Sequence, residues 1–217
     1  LAANAAANAS TMMDQAMTRL STGKRINSAK DDPGALQVAV RMSAEINGLA
    51  ASLKNANDAQ AAIDTGEGAL SEVHTLLLRM RELAVSASTD SATTADRTAL
   101  NTEVSALETE IDRIGTSTTW GGINLLNGTY SSGAAIVFQI GPRSGNTLSF
   151  TMGYIKATTT ANAQGTLGLT SGVTTRTLAS AYINVIDGAI SIVSTRRGSF
   201  GAISNRLDST ITNLTNM

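Results

Sequence analysis

Few side chains in this sequence could do chemistry, and His74 is the first to consider. It is the only histidine in the chain, so no histidine-rich metal site can form and no second imidazole is available for a catalytic triad. It stands beside Val73 with no partner evident from the sequence. We therefore expect a packing or surface role for His74. The sequence also contains no P-loop, no GxGxxG and no GxSxG motif.

The acidic pair Asp31-Asp32 could suggest a cation site. Calcium loops, however, alternate several oxygen ligands around a central glycine, and two carboxylates do not make that pattern. Pro33 follows the pair, and proline is favoured as the first residue of a helix. The pattern therefore predicts that Asp31 or Asp32 is the N-cap of a helix that begins at Pro33.

Other charged side chains could bind ligands. Arg79 and Arg81 stand with Glu82 in a pattern typical of a solvated, salt-bridged helix face. A second set lies around a predicted β insert and could contact the carboxylates of an acidic polysaccharide, although ordinary solvent-exposed charge is the favoured interpretation. This set consists of Arg143, Lys156 and Arg176.

Composition argues against several function classes. The chain has 16 Lys and Arg against 17 Asp and Glu, a net charge of −1, which gives no electrostatic reason to expect nucleic acid or an anionic membrane. It has no cysteine, hence no disulfide or thiolate metal site. No apolar run approaches the roughly 20 residues of a membrane-spanning helix, and Leu1 to Ala9 do not form a secretory signal. The low aromatic content of 3% favours narrow helix-to-helix seams.

The elements that must position these residues begin with a long amphipathic stretch. From Met42 to Ala84, apolar or small residues recur at alternating spacings of four and three, which predicts one long helix with a coiled-coil-like seam. Gln60 and Glu67 are polar exceptions on this stripe. The stripe contains Met42, Ile46, Leu49, Leu53, Ala56, Ile63, Leu70, Val73, Leu77, Met80 and Ala84.

A polar break, Ser86 to Thr94, predicts a loop, after which a second helix starts near Ala95. Its apolar positions are again spaced four and three, and Gly115 is a candidate C-terminal stop. We expect the two helices to form an antiparallel pair.

The character of the sequence then changes. Gly121-Gly122 and Asn127-Gly128 are turn signals, and two β-prone stretches predict a hairpin over Ala134 to Met152. Tyr154 to Thr177, rich in Thr, Gly and Ser, predicts a loop or a small exposed subdomain.

Helical periodicity returns at the carboxyl end. One apolar phase starts at Leu178 and a second at Phe200, so the region Arg196 to Ser199 resembles a stutter. The fold class is therefore mainly α with a small β part: an elongated bundle of long coiled-coil-like helices from both termini plus a β-hairpin region. The apolar positions are Leu178, Tyr182, Val185, Ala189, Ile192, Phe200, Ile203, Leu207, Leu214 and Met217.

Several blocks, taken in order, resemble bacterial flagellin. The agreement covers most of the chain outside roughly Tyr154 to Thr177, and so many ordered blocks are far more specific than any one short motif. The blocks are LSTGKRINSAKDD from Leu20, NANDAQAAIDTGEGALSEV from Asn55, RMRELAV from Arg79, EIDRI from Glu110, WGGINLLNG from Trp120 and NRLDSTITNL from Asn205.

The resemblance implies a filament subunit with no active site, cofactor or metal, located at the extracellular flagellum. It implies that the inner-tube segments are incomplete at both ends, and that the full-length protein has export machinery and a chaperone as partners. The implied domains are 1–32, an inner-tube remnant with its connecting loop; 33–115, the amino-terminal core helices; 116–153, the β-hairpin region; 154–177, a short variable loop; and 178–217, the carboxyl-terminal core helix.

Flagellins are also sensed by an innate-immune receptor, and the residues here that match that surface are Arg79, Leu83 and Glu103. An arginine and a glutamate around an apolar anchor could form a small hot spot. Leu78, before the arginine, departs from the family, which commonly carries glutamine there.

Two other functions stay open at this stage. A flagellin-like protein at the cell surface could bind a ligand such as an acidic polysaccharide through Arg143, Lys156 and Arg176. An enzyme inserted in the variable region is the third alternative, but the insert is only a few dozen residues long and lacks histidine.

Overall fold

The computed structural model describes residues 2–128, 135–157, 167–170 and 172–217, and it divides into two compact units, Leu1–Ala51 (unit 1) and Ser52–Met217 (unit 2). The described residues form a mainly helical fold with a small β part, as predicted. The helices are α1 (Ala2–Thr22), α2 (Pro33–Ala87), α3 (Thr94–Ser117) and α4 (Arg176–Asn216), and the strands are β1 (Thr119–Trp120), β2 (Ile123–Asn124), β3 (Ile136–Gln139) and β4 (Thr147–Phe150).

In unit 1, a carboxylate closes the loop that follows α1. Asp31 Oδ2 accepts the backbone N–H groups of Asn27 at 3.1 Å and Ser28 at 3.0 Å. Its other oxygen accepts the side-chain amide of Gln15 on α1 at 3.0 Å. These bonds favour the charged form, the backbone bond from Asn27 most, and they lower the pKa of Asp31.

The neighbouring carboxylate starts α2. Asp32 Oδ1 accepts the backbone N–H of Ala35 at 2.9 Å, the third helical residue after the cap. The N-cap prediction is therefore confirmed at Asp32, with Pro33 as the first helical residue. Asp31 and Asp32 thus have separate structural roles.

The seam predicted on α2 divides in two. From Ala56 onward its apolar members are fully buried in unit 2. Met42 and Ile46, in unit 1, are exposed instead, so the prediction that they belong to a seam within this chain is wrong for the described residues. The helix itself is one piece, and Gly66 faces the Phe200 ring at a distance that suits glycine.

The buried positions of helix α4 keep one periodicity along the whole helix. Its fully buried positions follow one continuous three-four register, in which Arg196 and Ile203 are half-buried members, so the predicted stutter near Arg196 is wrong. Leu178 and Met217, taken as seam residues, are exposed. The fully buried positions are Ala179, Tyr182, Ile186, Ala189, Val193, Phe200 and Leu207.

Helix α3 runs antiparallel to α2, as the Arg97 guanidinium near its start donates to the carbonyl at Ala87, the last residue of α2, at 2.9 Å. A capping box begins it: Thr93 Oγ1 accepts the Asp96 N–H while the Asp96 carboxylate accepts the Thr93 N–H. The predicted stop at Gly115 is wrong by two residues, since α3 ends at Ser117. Gly115 is instead buried, where a Cβ would lie 2.2 Å from the carbonyl oxygen of Ile155.

Two small hairpins follow α3. β1 and β2 pair around Gly121 and Gly122, both with positive φ as a tight hairpin turn requires. β3 and β4 pair from Ile136↔Phe150 to Gln139↔Thr147, which confirms the hairpin predicted over Ala134 to Met152, although Ala134 lies outside the described residues.

The segment predicted as an exposed loop, Tyr154 to Thr177, is in part packed against α3. The Asp112 carboxylate accepts the Ala157 N–H at 2.6 Å, and Asn101 Oδ1 accepts the Val173 N–H at 2.9 Å. The prediction of full exposure is therefore wrong for the part of this segment that is described. Its buried apolar residues are Ile155, Ala157, Leu167, Leu169 and Val173.

Among the described helices, α4 is long and apolar enough to cross a membrane if only length and composition are counted. The sequence has no uninterrupted apolar run of that length. Tyr182, Ile186 and Val193 of this helix are buried in unit 2. We therefore assign α4 as a core helix.

Candidate functional site

Unit 1 presents the most exposed apolar surface in the described structure. No residue of α1 is buried, and Leu20 near its end is 80% exposed. Contiguous exposed apolar side chains on a soluble protein mark interaction surfaces. Methionine is frequent at such surfaces because its flexible thioether adapts to a partner. The exposed large apolar residues of this unit are Met12, Met13, Met17, Leu20, Val38, Val40, Met42 and Ile46.

The three residues matched to a receptor surface lie on adjacent turns of α2 and on α3. Arg79 Nη2 lies 2.7 Å from Glu103 Oε1, and Arg79 Nη1 lies 2.7 Å from Glu82 Oε2. The Arg79 and Glu103 side chains are 47% and 44% exposed. The hydrogen bonds to Glu103 and then Glu82 raise the pKa of Arg79, which keeps the guanidinium charged. Arginine and glutamate therefore reach the same exposed face.

Leu83 does not join them at the surface. It is 3% exposed and belongs to the core of unit 2. Leu78 and Val85 are the exposed apolar side chains nearby in sequence, each 47% exposed. The periodic stripe alone could have indicated this, because Leu83 follows Met80 by three positions and thus widens the buried face.

The residues proposed for polysaccharide contact do not form one site. Arg143 lies in the β3–β4 turn, where its carbonyl accepts the side chain of Gln139, and the Gln139 carbonyl in turn accepts Asn55 of α2. Arg176 instead pairs with Asp90, beyond the carboxyl end of α2, at 3.0 Å. At 1.5 Å per helical residue, these two places on α2 are about 50 Å apart. One oligosaccharide cannot contact both arginines at close range.

Lys156 occupies a third place. It is half-buried in the segment packed against α3, and its carbonyl accepts the Leu167 N–H at 3.0 Å. The sequence brought these three cations together only because all lie near the predicted insert. The structure places the three residues apart: Arg143 in the β3–β4 turn, Lys156 in the segment packed against α3, and Arg176 at the start of α4.

Metal-ligand clusters and titratable groups with shifted pKa values are the remaining features to consider among the described residues. These residues contain no group of three or more His, Asp or Glu side chains placed to hold a metal ion. His74 is half-buried on α2. A perturbed carboxyl does occur on α3: burial raises the pKa of Glu108, whose carboxylate accepts the Tyr182 hydroxyl at 2.5 Å. Burial, followed by this hydrogen bond, also raises the pKa of Tyr182. This pair packs α3 against α4.

Comparison with known proteins gives consistent matches. The family model described as bacterial flagellin N-terminal helical region matches residues 1–131. Polar flagellin F of Vibrio parahaemolyticus is 44% identical over 138 residues, which are 64% of this chain and 36% of that protein. A flagellin of Halalkalibacterium halodurans is 38% identical over 202 residues, covering 93% of this chain and 72% of that protein.

A solved structure agrees with these sequence matches. The crystal structure of Bacillus cereus flagellin superposes with a TM-score of 0.63 at 30% identity, covering 74% of this chain and 88% of that one. The chain thus spans little more than a third of the Vibrio protein's length but most of the Halalkalibacterium and Bacillus ones.

Proposed function

This chain belongs to the bacterial flagellin family, and on that premise we propose that it is a structural subunit of the extracellular flagellar filament. Other copies of the same protein are its main partners, and its role is assembly rather than catalysis. Flagellins are a structural family. The observation that carries the proposal is the apolar surface of unit 1, which none of the described residues covers.

Helix α1 leaves its apolar side chains uncovered within the described structure. Helices gain most of their stability from packing an apolar face, and α1 has no buried residue within the chain. A neighbouring copy would supply that packing. A contact between two different patches, repeated by a rotation that does not close, builds an open helical filament. An asymmetric subunit with one uncovered unit and one closed core suits such a contact.

The domain assignment comes from the family resemblance, and its first boundary, after residue 32, differs from the boundary between the two compact units at Ala51. We propose that residues 1–32 form the inner helix with its connecting loop, 33–115 and 178–217 the core helices, 116–153 the β-hairpin region and 154–177 the variable loop. The family also leads us to expect export machinery and a chaperone as partners of the full-length protein.

The test is polymerisation of the full-length gene product in cells that lack their own flagellin. We expect filaments by electron microscopy, labelled along their length by an antibody to this chain. Leu20→Glu, in unit 1, should abolish them, whereas Leu178→Glu, which adds the same charge at an exposed leucine of unit 2, should leave them intact. If the wild-type protein never polymerises and cells lacking it keep normal filaments, the proposal is wrong.

We also propose, as a second function, recognition by an innate-immune receptor through Arg79 and Glu103. The support is their exposed ion pair on one face of unit 2, where a receptor could form charge-assisted hydrogen bonds. Since Leu83 is buried, its part would be to hold the backbone beneath that face.

A reporter-cell assay for receptor activation tests this. Arg79→Ala with Glu103→Ala should reduce activation at least tenfold. The matched control is Arg81→Ala with Asp187→Ala, which removes a similarly exposed ion pair of the same 2.7 Å length. Equal activation by both double variants and wild type would end the receptor hypothesis.

A further inference from the structure

The apolar seam between α2 and α4 is largely periodic. On α2 most buried residues from Ala56 to Ala87 alternate spacings of three and four, with Ala62 and Leu83 as additional buried positions. The buried residues of α4 from Ala179 to Leu207 keep the same register, with Arg196 and Ile203 as its half-buried members. Sliding one helix past the other by seven residues, about 10 Å, would again set apolar residues opposite apolar residues. Apart from the contact between Gly66 and Phe200, the apolar residues of the seam therefore do not specify one register.

Two polar contacts across this seam do specify one. Gln60 Nε2 donates to Ser204 Oγ at 2.7 Å, and Arg197 Nε donates to Glu67 Oε1 at 2.7 Å. Gln60 and Glu67 are seven residues apart on α2, and Arg197 and Ser204 are seven apart on α4. The contacts therefore repeat at one heptad position of an antiparallel pair. We call these four residues the polar ladder.

A slip of seven residues would break the ladder in either direction. Glu67 would face Ile190 or Ser204 instead of Arg197, and each case leaves a charged group in the seam without its opposite charge. That loss has a cost, because a partly desolvated ion loses its opposite charge, while the 34% and 35% exposure of Arg197 and Glu67 lets water offset part of it. The ladder thus penalises the registers that the apolar residues would allow.

A size match next to the ladder selects the same register. Phe200 packs against Gly66, where an added Cβ would lie 3.2 Å from its ring. After a slip the ring would meet Ala59 or Val73, both buried and both larger than glycine. The ring fits where α2 has no side chain.

The polar ladder also includes buried oxygen atoms without hydrogen bonds among the described residues, which lower stability and which a purely stabilising contact would not contain. Gln60 Oε1 and Glu67 Oε2 are buried and accept no hydrogen bond from the described residues. A buried polar group without a hydrogen bond stabilises a fold less than an apolar residue would, unless it serves specificity. A buried polar residue that fixes helix register is the best-attested use of such groups.

We propose that the polar ladder of Gln60, Glu67, Arg197 and Ser204 fixes the register of α2 against α4 and so sets the axial spacing of the surfaces each helix presents for assembly. The register claim stands on the contacts above. Its consequence for assembly rests on the proposed filament function.

Cysteine trapping measures the register directly, because the chain contains no cysteine that could give a background. In the ladder's register His74 lies opposite Ile190, and after a slip of seven residues it lies opposite Ile183. His74→Cys with Ile190→Cys therefore reports the native register, and His74→Cys with Ile183→Cys the slipped one. In the otherwise unchanged full chain, mild oxidation should cross-link the first pair and leave the second reduced.

The ladder is then removed by Gln60→Leu, Glu67→Leu, Arg197→Leu and Ser204→Ala. We expect the slipped pair to cross-link in at least a tenth of the molecules, with helix content by circular dichroism unchanged. The charge swap Glu67→Arg with Arg197→Glu is the matched control, and it should show the native cross-link only. Exclusive native cross-linking without the ladder would overturn the proposal.

A milder variant covers the case in which the fourfold change does not fold. Glu67→Met with Arg197→Met removes only the ion pair and keeps long side chains, and it should raise slipped cross-linking measurably above the wild-type background. If its cross-link pattern equals that of wild type, the ion pair does not select register.

Filament formation by the full-length protein tests the consequence. Ladder-free protein should polymerise into fewer or shorter filaments than the charge-swapped control. If ladder-free protein slips but polymerises like the control, register does not govern assembly. If wild-type protein forms no filament either, the proposed function fails while the cross-linking result stands.

Discussion

In unit 2 the apolar stripes of α2 and α4 bury one another, whereas in unit 1 the stripe residues Met42 and Ile46 of the same α2 lie exposed. The sequence pattern does not change between these regions, since the spacing of four and three continues from Met42 to Ala84. Periodicity thus reports that a helix has an apolar face. It does not report whether the same chain covers that face.

The difference separates two sources of stability. Unit 2 has a buried core drawn from α2, α3, α4 and the β3–β4 hairpin, with Trp120 of β1 packed against it, so it should hold its structure as a monomer. Unit 1 has a loop closed by Asp31 and a capped start of α2, but no buried side chain on α1. Its apolar residues should contribute to stability when a neighbouring copy covers them.

The same substitution in the two units should give the largest contrast. Leu77→Ala removes a fully buried side chain of unit 2 and should cost about 2–5 kcal/mol of unfolding free energy, the loss of transfer energy plus a cavity. Leu20→Ala in unit 1 should change it by no more than about 0.5 kcal/mol, because surface substitutions rarely do more. Urea denaturation of the monomer measures both.

Polymerisation, in contrast to monomer stability, should depend on the exposed Leu20. Leu20→Ala should raise the protein concentration needed for polymerisation, although the monomer is unaffected. A large loss of monomer stability for Leu20→Ala would show that unit 1 has a core of its own, and the contrast between the units would not hold.

Glycines sharpen the contrast within unit 2. Gly115→Ala should destabilise by about 1–3 kcal/mol, because the new Cβ would meet the carbonyl of Ile155 and force backbone movement. Gly68→Ala has no heavy atom within 4 Å of the new Cβ and should stabilise α2 by up to about 1 kcal/mol through helix propensity. Thermal denaturation of the two variants should shift in opposite directions. Equal shifts would contradict the packing of Ile155 against α3.

Helix caps should give a smaller effect. Thr93→Ala removes half of the capping box of α3 and should cost about 1 kcal/mol of unit 2 stability. Asp32→Ala removes the cap of α2 in unit 1, and there we expect local fraying near Pro33 with little change in the unfolding midpoint. Hydrogen exchange of the first-turn amides distinguishes the two responses. A shift of the global midpoint for Asp32→Ala would couple the start of α2 to the core.

Much of the fold could be predicted from local patterns. The three-four spacing predicted the long helix, and Pro33 after an acidic residue predicted its start. The glycine turns predicted the β region. Gly115 shows what such patterns miss. A glycine near a helix end is ambiguous between a stop and a close contact, and only the tertiary position of Ile155 decides.

The candidate surface was harder to predict for the same reason. Arg79 and Glu103 are far apart in sequence, and the antiparallel pairing of α2 with α3 brings them together as the family resemblance implied. Arg143 and Arg176 were grouped by nearness to the insert, but sequence nearness to a loop says nothing about distance along a 55-residue helix. Gln60 and Glu67 looked like exceptions on the stripe, and their partners Ser204 and Arg197 became visible only across the seam.

The smallest effects should come from two carboxyls whose pKa values move in opposite directions. Burial raises the pKa of Glu108 in unit 2 despite the opposing hydrogen bond from Tyr182, while hydrogen bonds from Asn27 and Ser28 lower the pKa of Asp31 in unit 1. A carboxyl buried in a core is expected to hold its proton, and one held by a loop's N–H groups to release it. Carboxyl carbon NMR should show Glu108 titrating above 4.5 and Asp31 below 3.8, the ordinary values of these side chains.

The direction in which each carboxyl changes folding stability with pH follows from whether the folded or the unfolded state binds more protons. The folded state binds more protons than the unfolded state at Glu108, so its contribution is full below the unfolded pKa and is lost as pH rises through the folded value. Glu108→Gln should therefore gain stability relative to wild type between pH 4 and pH 8. For Asp31 the contribution is present above the unfolded pKa and lost as pH falls through the folded one, so Asp31→Asn should differ from wild type least in acid. If the stability of each variant parallels that of wild type at every pH, neither carboxyl is linked to folding. Burial in unit 2 would then not distinguish Glu108 from the loop carboxyl Asp31 of unit 1.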